Sequence, residues 1–67
     1  MELNNTLRVE RAKMNLTQEE LARRINVSRQ TIHAIENNKY VPSIHLSLKI
    51  AKFFKLNIEE IFKLDNK

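Results

Sequence analysis

Residues 18–37 read QEELARRINVSRQTIHAIEN, and their periodicity decides the fold. Leu21, Ala22 and Ile25 recur at the spacing that places them on one face of a helix, and Ile32 and Ile35 do the same in a second segment. Thr17 precedes the first segment with Glu20 three residues on. In that arrangement each side chain satisfies an orphan N–H of the other's backbone. Asn26-Val27 interrupts the pattern, and Ser28 is a good N-cap for a second helix reaching Glu36 or Asn37. The spacing therefore predicts two helices of about eight residues joined by a three- to four-residue turn. Leu21, Ile25, Val27, Ile32 and Ile35 converge between them, with Ala22 small where the backbones approach closely.

Working outward, a preceding helix is expected from Asn5 or Thr6 to Met14, with Leu7, Val9 and Met14 as its apolar contributions. Asn37-Asn38 ends the second motif helix, because Asn tolerates the left-handed conformation common at helix C-termini. Pro42-Ser43 opens a fourth helix over Ile44 to Phe54, capped by Ser43. Asn57 with Glu60 forms another capping box and starts a short fifth helix ending near Phe62. The result is a compact all-α fold of five helices, a single domain over residues 1–67, in which helices 2 and 3 form a helix-turn-helix. Leu3 near one end, and Phe62 with Leu64 near the other, alternate with polar residues. The ends are therefore either frayed or paired as a two-stranded ribbon.

Composition narrows the function. The 67 residues carry twelve Lys and Arg against eight Asp and Glu, a net charge of +4, with no Cys and no Gly. Without Cys there are no disulfides, thiolate nucleophiles or Cys-containing zinc sites, and a reducing, cytoplasmic setting is expected. Without Gly there is neither a P-loop nor a dinucleotide fingerprint, since both need glycine where backbone approaches phosphate. A chain of this length buries only about 60% of its unfolded surface, so its core is small and self-association would relieve it. No apolar run is long enough to span a membrane. The positive excess suits nucleic acid or an anionic surface.

On the second motif helix Ile32 and Ile35 take the core side, while Arg29, Gln30, His33, Ala34 and Asn37 spread over the opposite arc. Arg reads guanine bidentately in the major groove and Gln does the same for adenine, and both lie in the first turn, where recognition helices meet bases. Other constellations are weaker. Glu19 and Glu20 are about 100° apart on a helix and Glu20 has a capping role, which argues against paired-carboxylate catalysis. His33 and His45 sit on different helices with no partner at ligand spacing, so no metal and no cofactor is expected. Arg23-Arg24 reads as a solvated helix end, where Arg suits the dipole.

The segments Leu16 to Ala22, Val27 to Ile32, Ile35 to Tyr40 and Pro42-Ser43 together resemble the Cro/cI-type (XRE) helix-turn-helix family. Leu48 to Ala51 and Glu59 to Phe62 continue the likeness, which covers roughly residues 7–62. The resemblance implies a lambda-repressor-like fold and a sequence-specific DNA-binding regulator, similar to the short members that act as dimers without an effector domain. It implies that Gln18 holds a DNA phosphate, that Ser28, Arg29, Gln30 and His33 or Ala34 face base edges, and that Asn37, Lys39 and Tyr40 follow the backbone. Arg11 and Glu36 match a family pair that forms an internal salt bridge. Asn26 and Asn38 stand where the family commonly has Gly, and are expected in the left-handed region. Glu10 replaces a commonly apolar position.

The fourth helix is apolar around most of its circumference: Ile44, Leu48 and Ala51 form one stripe, Leu46, Ile50 and Phe53 another. Such a helix is either the buried centre of the domain or shared with another subunit. With Ile58, Ile61, Phe62 and Leu64 it predicts a two-fold homodimer through helix 5 and the C-terminal end. The reading is a non-enzymatic homodimeric repressor of a palindromic double-stranded DNA operator, with no membrane partner and no small-molecule effector evident. The alternative is an antitoxin-like module whose apolar helix 4 and 5 surface covers a protein partner, with DNA binding secondary.

Overall fold

The computed structural model describes residues 2–65. In chain order the elements are β1 (Leu3–Asn5), α1 (Leu7–Lys13), α2 (Gln18–Ile25), α3 (Arg29–Glu36), α4 (Ile44–Phe54), α5 (Ile58–Ile61) and β2 (Phe62–Leu64). The five expected helices are present, and the ends pair as the ribbon. β1 and β2 run antiparallel, with Leu3 opposite Leu64, Asn4 opposite Lys63 and Asn5 opposite Phe62. The Thr6 N–H donating to the Ile61 carbonyl at 2.9 Å continues this seam into the helices.

The caps are those the sequence specifies. Thr17 Oγ1 accepts from the Glu20 N–H at 3.0 Å, and the Glu20 carboxylate accepts from the Thr17 N–H at 2.8 Å. Ser28 and Ser43 accept from the N–H groups of Thr31 and Leu46, each at 3.1 Å. The Glu60 carboxylate accepts from Asn57 N–H at 3.4 Å.

Each of the four longer helices ends the same way. A residue with positive φ, namely Asn15 (56°), Asn26 (62°), Asn38 (58°) or Lys55 (59°), follows the last turn. Its N–H bonds the carbonyl three residues back, and the next residue's N–H bonds the one five residues before itself. These are the paired bonds of a Schellman ending, which satisfy carbonyls the helix leaves orphaned. Asn26 and Asn38 were legible; Asn15 and Lys55 were not, and Lys55 is the one of the four without Asn's tolerance for this region.

Leu7, Leu21, Ala22, Ile25, Ile32, Ile35, Leu46, Ile50, Ala51, Ile61 and Phe62 form the core, with Val27, Phe53, Leu56 and Ile58 packed against it. Full burial of each large aliphatic is worth roughly 1.5–3 kcal/mol. Three expectations are corrected. Val9 and Met14 are exposed, so α1 contributes Leu7 alone to the core. On α4 only Ala51 of the first stripe is buried, because the helix turns Leu46, Ser47 and Ile50 inward and leaves Ile44 and Leu48 in solvent. Ile61 (0% exposed) and Phe62 (9%), expected at a dimer face, are buried in the core. Of the expected dimer set, Leu64 is exposed and Ile58 half-buried.

Replacing Lys55 by Asn relieves the left-handed residue and is expected to raise unfolding free energy by about 0.5–1 kcal/mol, whereas Asn26→Ala lowers it by about 1 kcal/mol. Urea titrations of both variants check this; a Lys55→Asn protein no more stable than wild type contradicts it.

Candidate nucleic-acid interface

The position of α3 is set by one carboxylate. The Glu36 side chain is wholly shielded from solvent and receives Arg11 Nε at 2.8 Å, Arg11 Nη2 at 3.2 Å and Gln18 Nε2 at 3.0 Å, with Arg8 Nε at 3.5 Å. The ion pair of Arg11 with Glu36 is thus present, and Gln18 and Arg8 join it. Arg11 also donates Nη1 to the Leu16 carbonyl at 2.8 Å. One buried group therefore ties α1, α2 and the loop between them to the end of α3. A buried charge is costly unless paired and hydrogen-bonded, and here it is both. Burial by itself raises the Glu36 pKa. The hydrogen bonds from Arg11 and Gln18 and the Arg11 charge outweigh it, so the carboxyl titrates below its ordinary value. Glu20 is lowered as well, first by the hydrogen bond from the Thr17 backbone.

With its inner face fixed, α3 presents Arg29, Gln30, His33 and Asn37 to solvent, and Ala34 half-buried beside them. Ser28 is exposed at the helix start, with its hydroxyl engaged as the cap and 2.9 Å from Thr31 Oγ1. Lys39 and Tyr40 project from the loop after α3. Arg29 and Gln18 line one shallow groove with Arg11, Thr17 and Glu19, so the start of α3 and the start of α2 share a surface. Asn37 Nδ2 donates to the His33 carbonyl at 2.8 Å, which holds the amide along the helix end. Among the described residues there is no cluster of His, Asp or Glu fit to hold a metal, and no helix is long and apolar enough to cross a membrane.

A family model described as helix-turn-helix matches residues 7–61. The chain belongs to the XRE-type helix-turn-helix family. It is 58% identical over 60 residues to an uncharacterized HTH-type transcriptional regulator of Methanocaldococcus jannaschii, covering 90% of this chain and 91% of that one. It is 41% identical over 63 residues to the regulator YgzD of Bacillus subtilis, covering 94% and 96%. The solution structure of the SOS-response transcriptional repressor LexA from Eubacterium rectale superposes with a TM-score of 0.76 at 30% identity, over 81% of this chain and 57% of that one. A Bacteroides fragilis crystal structure shares the fold with a TM-score of 0.80 at 24% identity, over 91% and 98%. This XRE-type chain is a transcriptional regulator with a helix-turn-helix DNA-binding domain.

Sequence reasoning missed Arg8 and Gln18 as partners of Glu36, and Asn5, whose amide reaches the end of α3. The signal for Arg8 was present, one helical turn before Arg11 on the same face. Nothing local in the sequence pairs Gln18 with a residue eighteen positions away.

Since the folded Glu36 carboxyl titrates below its unfolded value, its contribution is complete above the ordinary value of 4.5 and is lost as pH falls through the folded value. Glu36→Gln is expected to cost about 2 kcal/mol at neutral pH. It also flattens the acid limb of stability against pH. Urea midpoints measured across the acid range check both; an unchanged limb contradicts the assignment.

Proposed function

We propose that this regulator is a homodimeric repressor that reads a palindromic operator through α3, without enzymatic activity. The observation that supports it most is the division of α3 into a face anchored by Ile32, Ile35 and Glu36 and a solvent face of Arg29, Gln30, His33 and Asn37. Arg29 and Gln30, in the first turn, read base edges in the major groove, with Ser28, His33 and Ala34 lining the same contact. Gln18 keeps a second amide N–H beyond the one given to Glu36, which serves a phosphate oxygen. Asn37, Lys39 and Tyr40 follow the DNA backbone.

Repression is supported by the likeness to the LexA repressor's structure. The Enterococcus faecalis relative BcrR, 41% identical over 61 residues and covered over 30% of its length, is named a transcriptional activator. A reporter under the cognate promoter, with the gene deleted, reads the sign directly: expression rises for a repressor.

The dimer face proposed here shifts from helix 5 and the C-terminal end toward the start of α4. Val41 (68% exposed), Ile44 (72%) and Leu48 (53%) leave an aliphatic strip along the entry to α4 and its first turns, with Leu64 also exposed and Ile58 half-buried. Two-fold pairing buries such a strip against its own copy and sets two α3 helices one turn of DNA apart, ~34 Å. Ile44→Glu is expected to weaken the dimer at least about tenfold in sedimentation equilibrium while leaving the fold intact. A variant that sediments as wild type contradicts this face, and a stoichiometric foreign partner found on it favours the antitoxin-like reading.

Arg29→Ala is expected to cost about 1–3 kcal/mol on the cognate operator and to relax specificity, whereas Lys39→Ala weakens binding about equally on all sequences. Fluorescence-anisotropy titrations on operator and mixed-sequence duplex separate the two. Equal losses on both duplexes for Arg29→Ala contradict a base-reading role.

A further inference from the structure

The four Schellman endings are not alike one residue further on. After Asn15, Asn26 and Lys55 the chain places Leu16, Val27 and Leu56, all half-buried, with Val27 and Leu56 packed on the core. An apolar residue at this position closes the ending by packing back on the helix it terminates. After Asn38 comes Lys39, which is exposed. The recognition helix is therefore the one of the four whose end carries no apolar clasp. It is also the one whose next residues, Lys39 and Tyr40, carry the proposed contacts to the DNA backbone.

A side chain from the chain's beginning stands in that place. Asn5, on β1, donates Nδ2 to the Ile35 carbonyl at 2.9 Å and lies 3.3 Å from Asn38 Oδ1. The same carbonyl already accepts the Asn38 N–H at 3.0 Å, as part of the ending itself. The Asn5 side-chain Oδ1 in turn accepts the Leu7 N–H at 3.0 Å, which fixes the side chain at the start of α1. Its backbone is held by the pairing of Asn5 with Phe62. Beyond this link the ribbon stands away from the loop across a cleft of about 210 Å³ lined by Leu3, Asn4, Tyr40 and Val41.

We propose that Asn5 is a positioning residue for DNA binding: it couples the terminal ribbon to the end of the recognition helix and holds Asn37 to Tyr40 in the conformation that meets the phosphate backbone, in place of the apolar clasp that Lys39 replaces. The proposal rests on the DNA-binding reading of this face. It assigns the ribbon, which is remote in sequence from the helix-turn-helix, a part in the geometry of the DNA contact. It also explains why the residue after Asn38 is free to be a lysine: the hydrogen bonds from Asn5 supply the restraint that packing supplies elsewhere.

Asn5→Ser tests it in the full chain, because serine keeps a short acceptor for the Leu7 N–H, adds no charge near phosphate and cannot reach Ile35. Amide exchange is measured at Asn38 and Lys39, with Val27 and Leu56, in the equivalent bonds of α2 and α4, as the internal standard of folding. The expected result is exchange at Asn38 and Lys39 faster by about tenfold with Val27 and Leu56 unchanged, reporting local opening. On a mixed-sequence duplex, affinity falls and the salt dependence of binding loses about one phosphate contact. Wild-type exchange at Asn38 and Lys39, with wild-type protein still binding the duplex, overturns the positioning role alone. Equal acceleration at all four amides also overturns it, because the effect is then global stability. Wild-type protein that shows no salt-dependent binding overturns the DNA reading, and the positioning role with it.

Discussion

The rest of the molecule depends on the Glu36 carboxylate. It is the last residue of α3, wholly shielded, and the groups that satisfy it come from α1 and α2. A domain this small has little apolar surface with which to fix three short helices relative to one another. Directional hydrogen bonds do what packing alone leaves loose: Leu21, Ile25, Ile32 and Ile35 bring α2 and α3 together, and Glu36 fixes how far α3 is rotated about its own axis. That rotation decides which side chains face outward. Under the proposed function the anchor acts through geometry, and its carboxylate oxygens need not touch DNA.

Turning four corners without glycine is the second constraint. Asn serves at three of them, where its side chain eases the left-handed conformation, and Lys55 serves at the fourth. Three of these corners are followed by a half-buried apolar residue, Leu16, Val27 or Leu56, of which Val27 and Leu56 pack on the core. At the corner that follows α3, the DNA contact proposed for Lys39 would take the place of sealing. Lys39 goes to solvent, and Asn5 secures the helix end from another part of the chain.

Most of this fold was legible because its signals are local. Thr17 with Glu20, Ser28, Ser43, and Asn57 with Glu60 mark helix starts within four residues, and α4 runs over Ile44–Phe54 as its capping serine and apolar spacing predict. Asn26 and Asn38 were legible as left-handed because they stand where the resembled family commonly has Gly, and Asn38 also because it ends a patterned segment. What escaped were facts of long range. Apolar content could not say which side of α4 turns inward, so Ile44 and Leu48 are exposed while Ile61 and Phe62, read as interface, complete the core. The pairing of the ends, with Leu3 opposite Leu64, joins segments about sixty residues apart and has no local signal. The outward arc of Arg29, Gln30, His33 and Asn37 followed from helical geometry, whereas the links of Gln18 to Glu36 and of Asn5 to Ile35 require the tertiary fold.

The net charge of +4 is accordingly not a uniform coat. Arg11 is neutralised inside the domain by Glu36, whereas Arg29 and Lys39 are exposed. In the proposed function, exposed basic groups supply affinity through phosphates, and Arg29 and Gln30 supply the sequence preference. Hydroxyl-radical footprinting on duplexes selected from a random-sequence pool tests this most directly. The account predicts two protected half-sites related by two-fold symmetry, on one side of the duplex, with centres about one helical turn apart. Selection of no preferred sequence, or protection of a single half-site at saturating protein, would contradict it.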